Sequence, residues 1–177
     1  MYLTRKVYVG ANYEHNNVKG TIELTKGKEN TPIKVNLDKV KYIEEEGAYW
    51  RKANSIHKWF VDNVQDGEDD CKEYYVSKEQ LKELIELCIQ DMKYLDSLEF
   101  KYSEEQEDFF TKEKFKYEIY QNVEEEDLNL KTQGGFFFGS TDYDEYYYKD
   151  LQDTVKMLEE LLVEDSNEVE YCYQSSW

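Results

Sequence analysis

Proline occurs once in this chain, histidine twice and glycine eight times, and each scarcity narrows the field. With so little proline and glycine there is no flexible linker, and 177 residues without internal repeats make one domain. The cysteines, Cys71, Cys88 and Cys172, are odd in number and show no C-x-x-C spacing, so neither a zinc site nor a disulfide framework is expected. Reduced thiols in a cytoplasm are the simplest account. The start, Met1-Tyr-Leu-Thr-Arg-Lys6, has no apolar stretch behind it that would make a signal peptide. No window approaches the ~20 apolar residues of a membrane span. His15 and His57 are far apart, and no His-x-x-x-His pattern occurs. G-x-S-x-G, G-x-x-x-x-G-K-[ST] and G-x-G-x-x-G are also missing. No catalytic residue, metal ligand set or cofactor is therefore expected.

What is abundant is tyrosine and negative charge. Seventeen tyrosines supply much of the 40% apolar content, which suffices for a core despite a mean hydropathy of −0.91. The net charge of −18 is unevenly spread. Residues 1–61 hold 11 Lys and Arg against 7 Asp and Glu, whereas residues 62–177 hold 11 against 33. Direct binding of a nucleic-acid backbone by the acidic part is excluded by repulsion, and partners with basic surfaces become the expectation.

Periodicity predicts an α+β fold, a small antiparallel sheet with hairpins packed against about three helices. Residues 1–43 are β-rich: Leu3, Val7 and Val9 share one side of an alternating stretch, and 21–25 with 33–37 make a hairpin with Pro32 at an edge. Residues 44–95 read as two helices. Tyr49, Ala53, Ile56, Phe60 and Val64 form a helical stripe over 44–65, with Glu44, Glu45 and Glu46 in its first turn. Ser77 with Gln80 opens the second through a capping box. Residues 96–130 form an acidic insert with a second hairpin from Leu98, Phe100 and Tyr102 to Phe115, Tyr117 and Ile119. Residues 131–177 comprise an aromatic strand, a helix over about 143–164 capped by Thr141 or Asp142, and a tail. Tyr147, Leu151, Val155, Leu158 and Leu162 mark that helix's buried face. In the tail Val169, Tyr171 and Tyr173 alternate, which fits a short strand or a frayed end.

Two segments are candidate binding surfaces. Trp50, Arg51, Asn54 and His57 lie near one helix, where a cation, an amide and an imidazole suit anion binding or acid–base chemistry. The structural alternative is a boundary helix with a half-exposed histidine. Gly134 to Tyr148 runs three phenylalanines between glycines into a helix start rich in acids and tyrosines. Phe136 and Phe138 suit a buried strand turning at Gly139. Phe137, Asp142, Tyr143, Asp144, Glu145, Tyr146 and Tyr147 suit contact with cationic, flat or nucleobase-like groups. The acidic runs are Asp66, Glu68, Asp69 and Asp70; Glu104, Glu105, Glu107 and Asp108; and Glu124, Glu125, Glu126 and Asp127. The first encloses Gly67 but lacks the ligand order of an EF-hand, so a solvated loop is the expectation. Were the runs on one face with 142–145, they would imitate nucleic-acid phosphates; otherwise they are solvated surface.

Tyr49-Trp-Arg-Lys-Ala-Asn-Ser-Ile-His-Lys-Trp-Phe-Val61 with its continuation to Asp70, and Thr132-Gln-Gly-Gly-Phe-Phe-Phe-Gly-Ser-Thr-Asp-Tyr-Asp-Glu-Tyr-Tyr-Tyr148, together resemble a family of small acidic phage and prophage proteins of unknown function. Tyr8-Val-Gly-Ala-Asn-Tyr-Glu-His15 and the helix from Ser77 are similar to it as well. The likeness spans most of 1–95 and 131–162; Gly134 stands where the family carries a serine. It implies a phage accessory protein working in the cytoplasm of an infected bacterium, with no activity or catalytic residue to carry over. The expected function is a non-enzymatic inhibitor of a nucleic-acid-binding host defence complex, restriction or CRISPR, through an acidic, tyrosine-rich surface. The alternative is a nucleotide or small-molecule binder, or an enzyme, in which Trp50, Arg51, Asn54 and His57 meet the 136–147 segment. Its distinguishing feature is a concave pocket joining the two.

Overall fold

Alternation and pairing explain most of the architecture. A computed structural model describes residues 1–9, 21–26, 28, 31–102, 106–107, 112, 114–116, 118–135, 139–163 and 169–176. The first strands are β1 (Tyr2–Tyr8), β2 (Thr21–Lys26), β3 (Thr31–Asn36) and β4 (Tyr42–Tyr49). Helix α1 (Asn54–Asn63), strand β5 (Tyr74–Val76) and helix α2 (Lys78–Leu95) follow. Then come β6 (Phe100–Tyr102), β7 (Gln106–Glu107), β8 (Lys114–Phe115) and β9 (Glu118–Tyr120). Helix α3 (Glu145–Val163) and strand β10 (Val169–Gln174) end the series. The α+β expectation is met in a single domain.

The principal sheet is antiparallel in the order β4-β1-β10-β5. Leu3, Ala48, Val76, Tyr171 and Tyr173 are buried on one face of it. Against this face lie α1, whose Phe60 ring stacks on Tyr173 at 3.9 Å, and α3, whose Leu161 meets Gly47. Helix α2 packs against α3. The tail is thus a strand, and an inner one: partners on both sides satisfy its ladder, which a frayed end would leave to water.

The helix expected over 44–65 is corrected. Residues 42–49 are a strand, and the helix starts only at Asn54. Tyr42 and Ile43 have high β propensity, and pairing with β1 satisfies the backbone that the acids at 44–46 were expected to start as a helix. Lys52, at φ 65°, breaks the chain between strand and helix. Ala53, Ile56 and Phe60 do face the core, so the periodicity held for the second half of the stripe.

Helix α2 begins with the expected capping box: Gln80 N donates to Ser77 Oγ at 3.1 Å and Ser77 N to Gln80 Oε1 at 2.9 Å. The hairpin of 21–36 pairs Ile22 with Val35 and Leu24 with Ile33. The second expected hairpin is present as β6 with β9, and β7 pairs with β8 in a separate two-stranded sheet. Helix α3 is capped by neither Thr141 nor Asp142. Asp144 Oδ1 accepts from Tyr147 N at 2.8 Å, because Asp144 immediately precedes the first turn. Its buried face is Tyr147, Leu151, Thr154, Leu158 and Leu161; Val155 and Leu162 are only half-buried. The three cysteines are free.

Candidate functional site

The two segments singled out in the sequence meet. Asn54, at the start of α1, donates from Nδ2 to Ser140 O at 2.8 Å, and its Oδ1 accepts from Gln133 N at 3.3 Å. This side chain is buried and sews the helix to the 132–141 segment. Thr132 Oγ1 closes that segment on itself by donating to Thr141 O at 2.9 Å. Buried Asp91 of α2 fixes the approach to it, accepting from Asn129 N at 3.0 Å, Asn129 Nδ2 at 2.8 Å, Leu130 N at 2.8 Å and Tyr147 Oη at 3.2 Å. Four donors make that buried carboxylate tolerable.

Between the joined elements lies a cleft of about 390 Å³, within the range of small-molecule sites. One wall is Arg51, Lys52, Asn54 and Ser55; the other is Asp142, Asp144, Tyr146, Tyr147 and Asp150. Thr132, Gly139 and Ser140 complete its lining. A Cβ on Gly139 would stand 3.9 Å from Lys52 Cβ, so the 132–141 segment approaches Lys52 closely there.

The walls differ in charge. On the α1 side, Arg51 and Lys52 are exposed cations. The first amides of α1 have no intrahelical acceptor, and Ala53 supplies no side-chain cap, so that end of the cleft is electropositive. On the α3 side, burial raises the Asp150 carboxyl to about 7, reinforced by the nearby negative charges of Asp153 and Asp144. Burial also raises Asp144, against the pull of the Tyr147 and Tyr146 amides. Asp142 is held by Ser140 Oγ, which donates to its Oδ2 at 2.6 Å. Tyr146 is half out in solvent at this wall. The cleft therefore has an anion-accepting end, a donor-accepting end and an aromatic side.

Not every predicted residue belongs to it. Arg51, Asn54, Asp142, Asp144, Tyr146 and Tyr147 line it. Trp50 is buried beneath it, its Nε1 donating to Thr154 Oγ1 at 2.8 Å. His57 is fully buried instead of half-exposed: its Nδ1 is 2.7 Å from Tyr173 Oη and its Nε2 is 3.2 Å from Asp69 Oδ1. Burial lowers its pKa, with Asp69 pulling the other way, and the arrangement suits a neutral ring protonated at Nε2. It braces helix against sheet and does not reach the cleft. Tyr143 is core, edge-on to Tyr147 at 5.0 Å, and Glu145 is exposed outside the lining. Phe137, with Phe136 and Phe138, lies outside the described residues. Lys52, Ser55, Thr132, Gly139, Ser140 and Asp150 were missed as site residues. Only Asp150 carried a signal, falling three residues after Tyr147 on the same side of a helix.

The two described acidic runs stay apart. Asp66, Glu68, Asp69 and Asp70 follow α1, whose Asn63 O accepts from Gln80 Nε2 near the start of α2. The Glu124–Asp127 run lies by the other end of that helix, where Glu124 N donates to Tyr94 Oη. Eighteen helical residues, about 27 Å, separate those ends. Glu104, Glu105 and Asp108 lie outside the described residues, and Glu107 is described only as part of β7. Among the described residues no group of acids, cysteines and histidines could hold a metal ion, and no helix is long and apolar enough to cross a membrane.

Fold and site together define a class: an α+β domain with a bipolar cleft uniting α1 and α3. Comparison with family models, curated proteins and solved structures finds no match for this chain.

Proposed function

We propose that the protein is a non-enzymatic binder of a nucleotide-class ligand, and that the cleft between α1 and α3 is its site. The observation that carries this is the cleft itself, because it joins the two segments that sequence alone had marked. A phosphate is met by Arg51, Lys52 and the open amides of α1. The ring stacks on Tyr146, and its N–H groups donate to Asp144 and Asp150. The bipolar walls thus match a ligand with an anionic end and a donor-rich flat end. The cleft's two walls are also the stretches that resemble phage proteins. That supports a role in an infected bacterium's cytoplasm, withholding such a ligand from a host defence system. A second reading, direct inhibition of a basic host complex, draws its support from the net charge of −18, since the two described acidic runs sit at opposite ends of α2.

The test is a panel of purine and pyrimidine mono-, di- and cyclic nucleotides, followed by thermal shift and calorimetry. At least one raises the melting midpoint of the parent, and Arg51→Ala weakens it by about tenfold, the worth of one charge-assisted hydrogen bond. No shift with any nucleotide, and no copurifying ligand by native mass spectrometry, removes the reading.

A further inference from the structure

Strand alternation gives the principal sheet a second face, turned away from the helices. Its members follow from the register: Tyr2, Thr4, Lys6 and Tyr8 on β1, and opposite them Tyr49, Glu46, Glu44 and Tyr42 on β4. On the other side stand Cys172 and Glu170 of β10, with Tyr75 of β5 beyond Cys172. Five tyrosines on this face, Tyr2, Tyr8, Tyr42, Tyr49 and Tyr75, are 38–61% exposed.

Tyrosine is a good strand former, and cross-strand ring pairs stabilise a sheet modestly. That explains Tyr2 against Tyr49 at 5.1 Å and Tyr8 against Tyr42 at 5.6 Å. It does not explain Tyr75, the most exposed of the five, which stands on an edge strand. Nor does it explain why the two positions between the rings on β4 are both acidic. Glu44 and Glu46 are exposed, and Glu170 accepts from Tyr8 Oη at 2.5 Å. The face's cation, Lys6, is buried against its own sheet in an ion pair with Glu73 and lies 5.5 Å from the Tyr42 ring centroid. What remains for a partner is flat aromatic surface flanked by the exposed carboxylates of Glu44 and Glu46.

We infer that this face is a docking surface for a protein partner that presents arginine side chains. A guanidinium stacks on a tyrosine ring and pairs with a carboxylate through two parallel bonds, which an ammonium cannot do. Nucleic acid is repelled by the carboxylates, and the same face of a second copy carries the same charge. The inference does not rest on the cleft, which lies on the helical side of the molecule.

The experiment titrates isotopically labelled protein with nona-arginine and with nona-lysine at physiological salt, read by NMR shifts and calorimetry. Nona-arginine binds about fivefold more tightly or better, as one or two exposed stacking contacts allow, and its shifts cluster on β1, β4 and β5. Tyr49→Ser with Tyr75→Ser brings its affinity down to that of nona-lysine while nucleotide binding in the cleft is unchanged. Should that variant not fold, Glu44→Gln with Glu46→Gln, at exposed positions, lowers the affinity likewise. Equal binding of the two peptides, shifts confined to 66–70 or to the cleft, or unaltered affinity in the folded variants each overturn the inference.

Discussion

Asp150 and His57 are ionisable groups held by the same core, and burial works on them in opposite directions. It favours the uncharged form of each, so the carboxyl rises to about 7 while the imidazole falls below its ordinary 6.5. For Asp150 the folded value exceeds the unfolded 3.8, so the folded state holds the proton longer. Its contribution to stability is present below about pH 4 and is lost as pH rises through about 7. For His57 the unfolded chain binds the proton first, so stability is fully present above 6.5 and is lost as pH falls from there through the lower folded value. Comparing Asp150→Asn with the parent cancels the histidine. The variant gains stability relative to the parent between pH 5 and 8 by roughly 1–2 kcal/mol, discounted for solvent at the cleft's mouth. Urea melts at the two pH values measure it, and an equal difference at both contradicts the assignment. His57 also marks a limit of sequence reading. A histidine beside Arg51 and Asn54 looks the same whether it faces a ligand or Tyr173, because its partner lies 116 residues away.

At the level of elements, local signals were legible where they were chemically specific. The Ser77–Gln80 capping box and the alternating hairpins are stated by neighbouring residues, and the structure contains them. Strand β4 was not legible, since Tyr49 and Ala53 fall at helical spacing although the chain changes course at Lys52 between strand and helix. Gly47 carried the missing information: a Cβ there would come within 3.0 Å of Leu161 Cδ1 and 3.1 Å of Leu3 O. The close approach of β4 to α3 leaves no room for a side chain, so Gly47→Ala forces the leucine or the strand aside. It costs about 1–3 kcal/mol, the range for an overpacked core. A drop in urea midpoint with an unchanged slope is the expected result; a neutral or stabilising effect contradicts so close a packing. The candidate site was half legible for a similar reason. Segments 50–54 and 142–147 were distinctive in composition, but Thr132, Ser140 and Asp150 are ordinary residues that tertiary contact alone brings to the cleft.

Across the whole molecule, the last strand joins the first strand to α1. β10 pairs with β1 from Tyr2–Gln174 to Val7–Val169 and with β5 on its other side, so the sheet closes only when nearly the entire chain is present. Its Tyr171 and Tyr173 are among the largest fully buried side chains, and Tyr173 contacts both Phe60 and His57 of α1. Helix α1 in turn carries Asn54 and Ser55 into the cleft, so the site depends on a strand that touches no ligand. Each buried aromatic contributes about 3–5 kcal/mol, and two of them approach the 5–15 kcal/mol that a whole domain typically has. Deleting residues 169–177 therefore abolishes the cooperative urea transition monitored by tryptophan fluorescence and circular dichroism. It also removes any nucleotide-dependent thermal shift. A truncated chain that still melted cooperatively near the parent's midpoint would mean that β1, β4 and the helices form a core without it, and that the cleft is assembled by α1 and α3 alone.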